Sequence, residues 1–128
     1  MNRTLRFRVH AGRWAVSKLA PDAAVPEWAW AGGLASVTRT AAELSVVCRQ
    51  EHVPEGVQAE RDWACLELQG PFPFEMTGVL HGFLAPLAGA GVPIFAMSTY
   101  DTDWVLVPVK QLERALSALQ DGGHVPAA

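Results

Sequence analysis

The fold is decided by the stretch from Trp63 to Leu119, which reads WACLELQGPFPFEMTGVLHGFLAPLAGAGVPIFAMSTYDTDWVLVPVKQLERALSAL. Short apolar runs in this stretch predict β-strands, and apolar residues at spacings of three and four predict helices. The order strand, helix, strand, strand, helix indicates an α+β class, with helices packed on an antiparallel sheet. We expect the strands over 62–68, 92–98 and 104–107, and the helices over 75–88 and 109–120.

The first half of the chain repeats this order in reduced form. Its apolar runs predict two hairpins, one with its turn at Ala11-Gly12 and one with its turn at residues 40–43. Between the hairpins, Pro26 is suited to the first position of a short helix. We expect the strands of these hairpins over 4–9, 14–19, 35–40 and 44–48.

A link between the two halves is expected over residues 51–61, which have no sustained period and contain a proline and a glycine. We therefore predict two α+β units in tandem, the first over residues 1–58 and the second over 59–122. Residues 123–128 begin at a Gly-Gly stop, and we expect them to form a loose tail.

Composition and charge exclude several classes of partner. The net charge is −3 and the basic residues are scattered, which speaks against nucleic acid as the main partner. Arg6 and Arg8 are expected on the solvated face of a strand. No apolar run approaches the roughly 20 residues that span a bilayer, and no signal-peptide pattern opens the chain. Cys48 and Cys65 are expected to be buried free thiols, and we predict a cytoplasmic protein.

No arrangement of residues gives specific support for catalysis. The four histidines have no partners at metal-ligand spacing and neither common phosphate loop occurs, so we expect no metal and no cofactor. Ser98, Asp103 and His81 can be drawn as a triad, but most chains offer such a trio. Asp101 and Asp103, separated by one residue, favour a turn and a single polar contact. We predict that the protein is not an enzyme.

Two segments offer the groups of a binding site. Residues 69–80 join a strand to a helix, and the first turn of a helix has unpaired N–H groups that suit a carboxylate. A simpler interpretation, favoured by residue types alone, is a turn at Gly70 and close helix–sheet packing at Gly78. Residues 95–104 form a polar tip between apolar strands. Its Ser, Thr and Asp side chains are explained by a turn alone, yet they also offer partners for both charges of an amino acid.

These segments resemble an ACT domain. The resemblance rests on residues 70–80 (GPFPFEMTGVL), 84–87 (LAPL) and 91–107 (GVPIFAMSTYDTDWVLV). Within the family, the sequence most resembles the subgroup related to the regulatory part of aspartate kinases and to cytosolic arginine sensors of eukaryotes. It implies a ferredoxin-like βαββαβ sandwich, met in tandem or as dimers with sheets side by side. The first half is similar to small bacterial ACT-containing proteins over residues 14–19 (WAVSKL), 36–40 (SVTRT) and 43–48 (ELSVVC).

The resemblance also implies where a ligand would bind. ACT domains commonly bind amino acids between two units, using the loop before the first helix and the facing strand. Thr77 and local backbone groups would then hold the polar ends of the ligand, and Asp103 would pair with an ammonium or guanidinium group. Carried over by position, the ligand-binding candidates are Thr77, Gly78 and Val79 at the helix start, with Ile94, Met97, Ser98 and Asp103 on the strands.

The function implied by the resemblance is that of a non-catalytic sensor or regulatory protein that binds a small molecule, most simply an amino acid, as a homodimer. The alternative is a ligand-free dimerisation or interaction module with the same fold. Because the helix of the first half is short and flanked by prolines, a separate site in that half stays open.

Overall fold

A computed structural model describes residues 3–127 of the chain. Within these residues the chain forms seven strands and two α-helices. In chain order they are β1 (Arg6–Leu19), β2 (Ser36–Arg39), β3 (Leu44–Arg49), β4 (Ala59–Leu68), α1 (Val79–Gly89), β5 (Phe95–Ser98), β6 (Asp103–Pro108), α2 (Leu112–Asp121) and β7 (Val125–Pro126).

The chain divides into two compact units. The larger unit combines residues 3–11 with residues 64–127, and the smaller unit comprises Gly12–Trp63. The long strands β1 and β4 contribute residues to both units. The compact units therefore differ from the predicted bounds of 1–58 and 59–122, because residues 3–11 belong with the second half of the chain and residues 59–63 with the first.

The larger unit has the strand order β1, β4, β6, β5. From β4 to α2 it follows the predicted order strand, helix, strand, strand, helix, which confirms an α+β class with an antiparallel sheet and two helices. In the β5–β6 pair, Phe95 lies opposite Leu106 and Ser98 lies opposite Asp103. The place beside β4 is taken by the first part of β1, and the short β7 pairs in parallel with β1.

The core of the larger unit is formed by the inward faces of β1, β4 and β6 together with both helices. On β1, buried Phe7 alternates with exposed Arg6 and Arg8, which confirms the solvated strand face. The rings of Phe7 and Phe83 meet edge to face with centroids 5.5 Å apart. The other large, fully buried members of this core are Leu66, Leu68, Leu87, Val105, Val107 and Leu119.

His124 joins three segments of the larger unit. The backbone N–H of Leu5 donates to Nδ1 of His124 over 3.1 Å, and Nε2 of His124 lies 2.9 Å from the carbonyl oxygen of Gly82 in α1. Nδ1 accepts, so the proton is on Nε2, which donates to Gly82. In a regular helix that carbonyl would accept from residue 86, but Pro86 has no N–H. His124 therefore satisfies a carbonyl group that the proline leaves unpaired.

The segment after α2, predicted as a loose tail, also makes backbone contacts. The N–H of Val125 donates to the carbonyl oxygen of Leu5 over 2.9 Å, and β7 pairs with the start of β1. His124 is only 4% exposed. A buried polar residue after the Gly-Gly stop thus attaches this segment to the unit.

The smaller unit has the strand order β2, β3, β1, β4. In both units a hairpin lies at the edge of the sheet and is followed by the strand that precedes it in the chain, giving β2, β3, β1 in the smaller unit and β5, β6, β4 in the larger one. The fourth place is taken by β4 in the smaller unit and by the first part of β1 in the larger unit. The predicted hairpin with its turn at residues 40–43 is confirmed, with Val37 opposite Val46. The predicted short helix after Pro26 is a single 3-10 turn, Glu27–Trp30, in which Ala29 is buried.

Two local predictions were wrong. The hairpin with a turn at Ala11-Gly12 is instead one continuous strand, β1, in which Gly12 has φ of +100°. This positive φ favours glycine, and a Cβ at Gly12 would also lie 2.6 Å from a guanidinium nitrogen of Arg49. The helix predicted from residue 75 begins only at Val79, because Gly78 takes φ of +79° immediately before it.

Both cysteines are free and buried, as predicted. Burial raises the pKa of the Cys48 thiol, and the nearby Glu51 carboxylate raises it further. No helix within the described part of the chain is long and apolar enough to cross a membrane. Across residues 3–127, no three or more His, Cys, Asp and Glu side chains are grouped so that they could hold a metal ion.

Candidate functional site

A groove of about 410 Å³ lies between the segment that leads into α1 and the turn from Ser98 to Asp103. We call it the helix-start groove. Its floor and walls combine apolar side chains with the polar groups of the turn. Its lining includes Phe72, Phe74, Met76, Gly78, Val79, Ser98, Tyr100, Asp101 and Asp103.

The turn that forms one wall is held by its own hydrogen bonds. The N–H of Thr99 donates to the carbonyl oxygen of Thr102 over 2.8 Å, and Oγ of Ser98 donates to Oδ1 of Asp103 over 2.5 Å. Buried Thr102 donates from Oγ1 to the carbonyl oxygen of Leu68 over 2.7 Å. These bonds attach the polar tip to β4 and fix the direction of the Asp103 carboxylate.

Gly70 lets the turn and the segment after β4 approach closely. A Cβ on Gly70 would lie 2.7 Å from the carbonyl oxygen of Asp101, a distance that side chains do not tolerate. The same carbonyl oxygen accepts a hydrogen bond of 2.8 Å from the N–H of Phe72. The structure has no regular turn at Gly70, which was predicted to form one; this glycine instead positions the wall of the groove.

The opposite wall is the beginning of α1. Gly78 occupies the N-cap position, where no side chain accepts from the helix, and the first turn contains no acidic residue. The N–H groups of the first turn have no acceptor within the helix. This end of α1 therefore favours a negative group.

An aromatic pair stands at the edge of the groove. The rings of Phe74 and Tyr100 have centroids 4.9 Å apart and are tilted by 51°. Phe74 is 74% exposed and Tyr100 is 80% exposed, values that are large for apolar rings. Neither ring was predicted from the sequence as part of the site. The signal that could have found the pair is the Pro-Phe-Pro-Phe run, which places Phe74 outside any regular core pattern.

The structure brings four of the seven predicted ligand-binding residues together, since Gly78, Val79, Ser98 and Asp103 all line the helix-start groove. Thr77 borders a different cavity, of about 330 Å³, beside Arg3 and His124. Ile94 and Met97 line none of the cavities described here; Ile94 precedes β5, and Met97 pairs with Trp104 across the β5–β6 ladder. Their assignment as ligand contacts stays a prediction.

A second cavity lies on another side of the same turn. We call it the Arg8 pocket. It has a volume of about 240 Å³ and carries charges of both signs, none of which belongs to the seven predicted residues. It is lined by Arg8, Glu67, Gln69, Gly70, Pro71, Asp101 and Thr102.

His10 and Glu67 form an ion pair or hydrogen bond beside this pocket. Nε2 of His10 is 2.8 Å from Oε1 of Glu67, and both side chains are about one-third exposed. The imidazole also stacks on the ring of Trp104, with centroids 5.4 Å apart and planes 28° apart. The Glu67 carboxylate is thus already engaged on one oxygen.

Comparison with known protein families gives two matches. The model described as the ACT domain matches residues 58–121, which is half of the chain. A model of an N-terminal domain matches residues 12–56, close to the bounds of the smaller unit. No curated protein sequence matches the chain.

Solved structures with the same fold cover nearly all of the chain. Protein Atu0741 from Agobacterium tumefaciens is 35% identical, with a TM-score of 0.93 over 98% of this chain and 93% of that one. VC0802 from Vibrio cholerae, a protein of unknown function described as a possible transport protein, is 18% identical, with a TM-score of 0.76 over 94% and 91% of the two chains.

The regulatory subunit of aspartate kinase from Thermus flavus is 15% identical, with a TM-score of 0.64 over 91% of this chain and 95% of that subunit. At this identity the likeness shows the fold alone. The family assignment rests on the ACT domain model, which matches half of the chain. The chain belongs to the ACT domain family.

Proposed function

We propose that this chain is a non-catalytic regulatory protein that binds an amino acid in the helix-start groove. ACT domains are typically ligand-binding and regulatory rather than catalytic. The observation that carries the proposal is that one groove has the beginning of α1 on one side and Asp103, whose carboxylate is held by Ser98, on the other. An amino acid carries a carboxylate, which suits the beginning of α1, and an ammonium group, which suits an aspartate side chain.

The carboxylate of the ligand would lie at the beginning of α1. The first-turn N–H groups have no helical acceptor, Gly78 supplies no side-chain cap, and no acidic side chain in the first turn repels an anion. Because Gly78 has no Cβ, the ligand can approach the backbone closely. Burial of the apolar part of the ligand against Phe72 and Met76 would contribute the remaining affinity.

The ammonium group would pair with Asp103. Ser98 donates to Oδ1 of that carboxylate and so holds it in one orientation, which reduces the ordering cost of binding. Asp101 lines both this groove and the Arg8 pocket. Thr77, which borders the neighbouring cavity, is proposed to contact the ligand only through the adjacent backbone.

We further propose a homodimer in the cytoplasm, with the smaller unit as a second, reduced ACT-like unit in tandem. ACT domains commonly form oligomers, and β5 and β2 are edge strands that can pair with another chain. The repeated strand order of the two units supports the tandem assignment. The two free cysteines fit a reducing compartment.

A second candidate function is a ligand-free dimerisation module. The observation that favours it is the exposed pair of Phe74 and Tyr100, because exposed aromatic rings are typical of protein interfaces. In that case the rings would be covered by a second copy of the chain, and the groove would hold no small molecule.

Thermal denaturation in the presence of each of the twenty amino acids separates the two functions. A ligand at 100 times its Kd stabilises the folded state by about 2.7 kcal/mol, which corresponds to a rise in Tm of roughly 10 °C for a domain of this size. We expect one amino acid to give such a rise. Asp103→Asn should remove it, whereas Asp121→Asn, a matched change at the end of α2, should leave it intact. A dimer that shows no shift with any amino acid would support the second function instead.

A further inference from the structure

The Arg8 pocket is chemically separate from the helix-start groove. Its charged residues come from β1, β4 and the turn before β6, whereas the groove is built on the beginning of α1. The two cavities share only the turn residues Asp101 and Thr102. The fold uses neither Arg8 nor Gln69 in its core, since both side chains are exposed.

The charges of the pocket leave one cation and one anion without a protein partner. Glu67 is engaged by His10 at 2.8 Å. Among the described residues, the side chains of Arg8 and Asp101 have neither a hydrogen bond nor an ion pair, and both residues line the same small cavity. Opposite charges that line one cavity without meeting leave space between them for a molecule that carries both.

We infer that the Arg8 pocket binds a small zwitterion, a molecule with one carboxylate and one ammonium group. The guanidinium of Arg8 presents a planar fork that holds a carboxylate through two parallel hydrogen bonds. The Asp101 carboxylate accepts from the ammonium group, and the side-chain amide of Gln69 can bond either end. The volume of about 240 Å³ is below that of drug-sized sites, which selects a molecule no larger than a single amino acid.

The backbone around the pocket is already fixed. Thr102 is 8% exposed and donates to Leu68, so the turn cannot swing away from β4 without breaking a buried hydrogen bond. The carbonyl oxygen of Asp101 accepts from the N–H of Phe72 at 2.8 Å. Because these bonds hold the backbone that carries Asp101, only side-chain rotation remains to be ordered on binding.

The test uses the full-length protein labelled with ¹⁵N and titrated with each of the twenty amino acids. The amide resonances of Gln69 and Gly70 report on the Arg8 pocket, and those of Gly78 and Leu80 report on the groove. Resonances of the shared turn are not used, because they border both cavities. We expect at least one amino acid to shift the Gln69 and Gly70 resonances in a saturable way.

Arg8→Gln should weaken that binding at least tenfold, as expected for the loss of a charged hydrogen-bond pair. Arg6→Gln is the matched control, because Arg6 is exposed on the same strand face but does not line the pocket. Both variants keep the core unchanged, and an unchanged Tm confirms that they fold.

The outcomes separate this site from the proposed function. Saturable shifts at Gln69 and Gly70 that Arg8→Gln removes and Arg6→Gln retains support the pocket, whatever happens at the groove. Shifts confined to Gly78 and Leu80 would overturn the pocket while supporting the groove. No shift at either set, or shifts at Gln69 that are equally strong in Arg8→Gln, would also overturn it.

Discussion

Replacing His124 by alanine tests how the larger unit is held together. His124 is 4% exposed and makes two hydrogen bonds, one from the N–H of Leu5 and one to the carbonyl oxygen of Gly82. Its ring also lies 5.7 Å from that of Phe83. The substitution therefore leaves the Leu5 N–H and the Gly82 carbonyl oxygen without their side-chain partner, and it creates a space beside the ring of Phe83.

The expected cost is large for one surface-adjacent residue. A buried donor or acceptor that loses its partner costs about 1–3 kcal/mol, and two such groups are created. The N–H of Leu5 is in a residue only 3% exposed, and the Gly82 carbonyl has no helical donor because of Pro86. We expect His124→Ala to lower the free energy of unfolding by about 3–5 kcal/mol, a sizeable part of the roughly 5–15 kcal/mol typical of a domain.

A double-mutant cycle isolates the role of the proline. Pro86→Ala restores an N–H that can donate to the Gly82 carbonyl, so this carbonyl no longer depends on His124. In the Pro86→Ala background, His124→Ala should cost about 1 kcal/mol less than in the wild type, because one of its two lost bonds is replaced. His124→Asn keeps an acceptor near the Leu5 N–H and should have an intermediate cost.

The assay is equilibrium unfolding in urea followed by circular dichroism, with the midpoint and slope fitted for each variant. A loss of less than 1 kcal/mol in His124→Ala would refute the account of the buried histidine. Equal losses in the wild-type and Pro86→Ala backgrounds would show that His124 does not compensate for the missing N–H of the proline.

Three further predictions concern single positions. Gly70→Ala places a methyl group 2.7 Å from the carbonyl oxygen of Asp101 and should destabilise the protein by about 1–3 kcal/mol. Gly82 is a helical glycine whose Cβ would meet nothing within 4 Å, so Gly82→Ala should stabilise the protein by about 0.5–1 kcal/mol. Equal effects of the two substitutions on urea unfolding would contradict this. Hydrogen bonds from Gln50 and Arg13 lower the pKa of Asp62, so its stabilising contribution is present above the ordinary pKa of about 3.9 and is lost as the pH falls through the lower, folded-state pKa. Asp62→Asn should therefore reduce Tm at pH 7 but not at strongly acidic pH, and a pH-independent difference would exclude the charge as the cause. Because burial raises the pKa of the Cys48 thiol, Ellman's reagent should label Cys48 at pH 8 only after unfolding in guanidinium, and rapid labelling of the folded protein would contradict this burial.

The order of elements could be predicted because periodicity is a local property. Polar and apolar residues alternate around Phe7, and Phe83 and Leu87 have helical spacing in α1. Both patterns can be recognised without knowledge of the tertiary contacts. The ends of elements depend on more distant residues. Gly12 has the residue type of a turn, yet β1 continues through it. Its φ of +100° favours glycine, and this value could not be predicted from residues 4–19 alone.

The helix start illustrates the same limit. Pro73 and Glu75 have residue types that favour the first turn of a helix, but the carbonyl oxygen of Pro73 accepts from the N–H of Met76 in an isolated turn. The positive φ of Gly78 then sets the start of α1 at Val79. Residue types therefore predicted the start of α1 to within a few positions, while the φ value of Gly78 determines the residue at which the helix begins.

The candidate site was only partly accessible from sequence. Family resemblance indicated Gly78 and Asp103, which the fold brings to one groove. Arg8 and Asp101 lie at opposite ends of the chain, and neither has a local pattern that indicates a pocket. Their proximity follows from β1 occupying the place beside β4, which no periodicity in residues 4–9 could reveal. The same long-range pairing brings His124 to Leu5.

The most direct test of the proposed function is a crystal structure of the protein grown with the amino acid that raises its Tm most. The proposal predicts ligand density in the helix-start groove, with the ligand carboxylate at the first-turn N–H groups of α1 and its ammonium group within hydrogen-bond distance of Asp103. An empty groove at saturating ligand, with Phe74 and Tyr100 covered by a second copy of the chain, would contradict it.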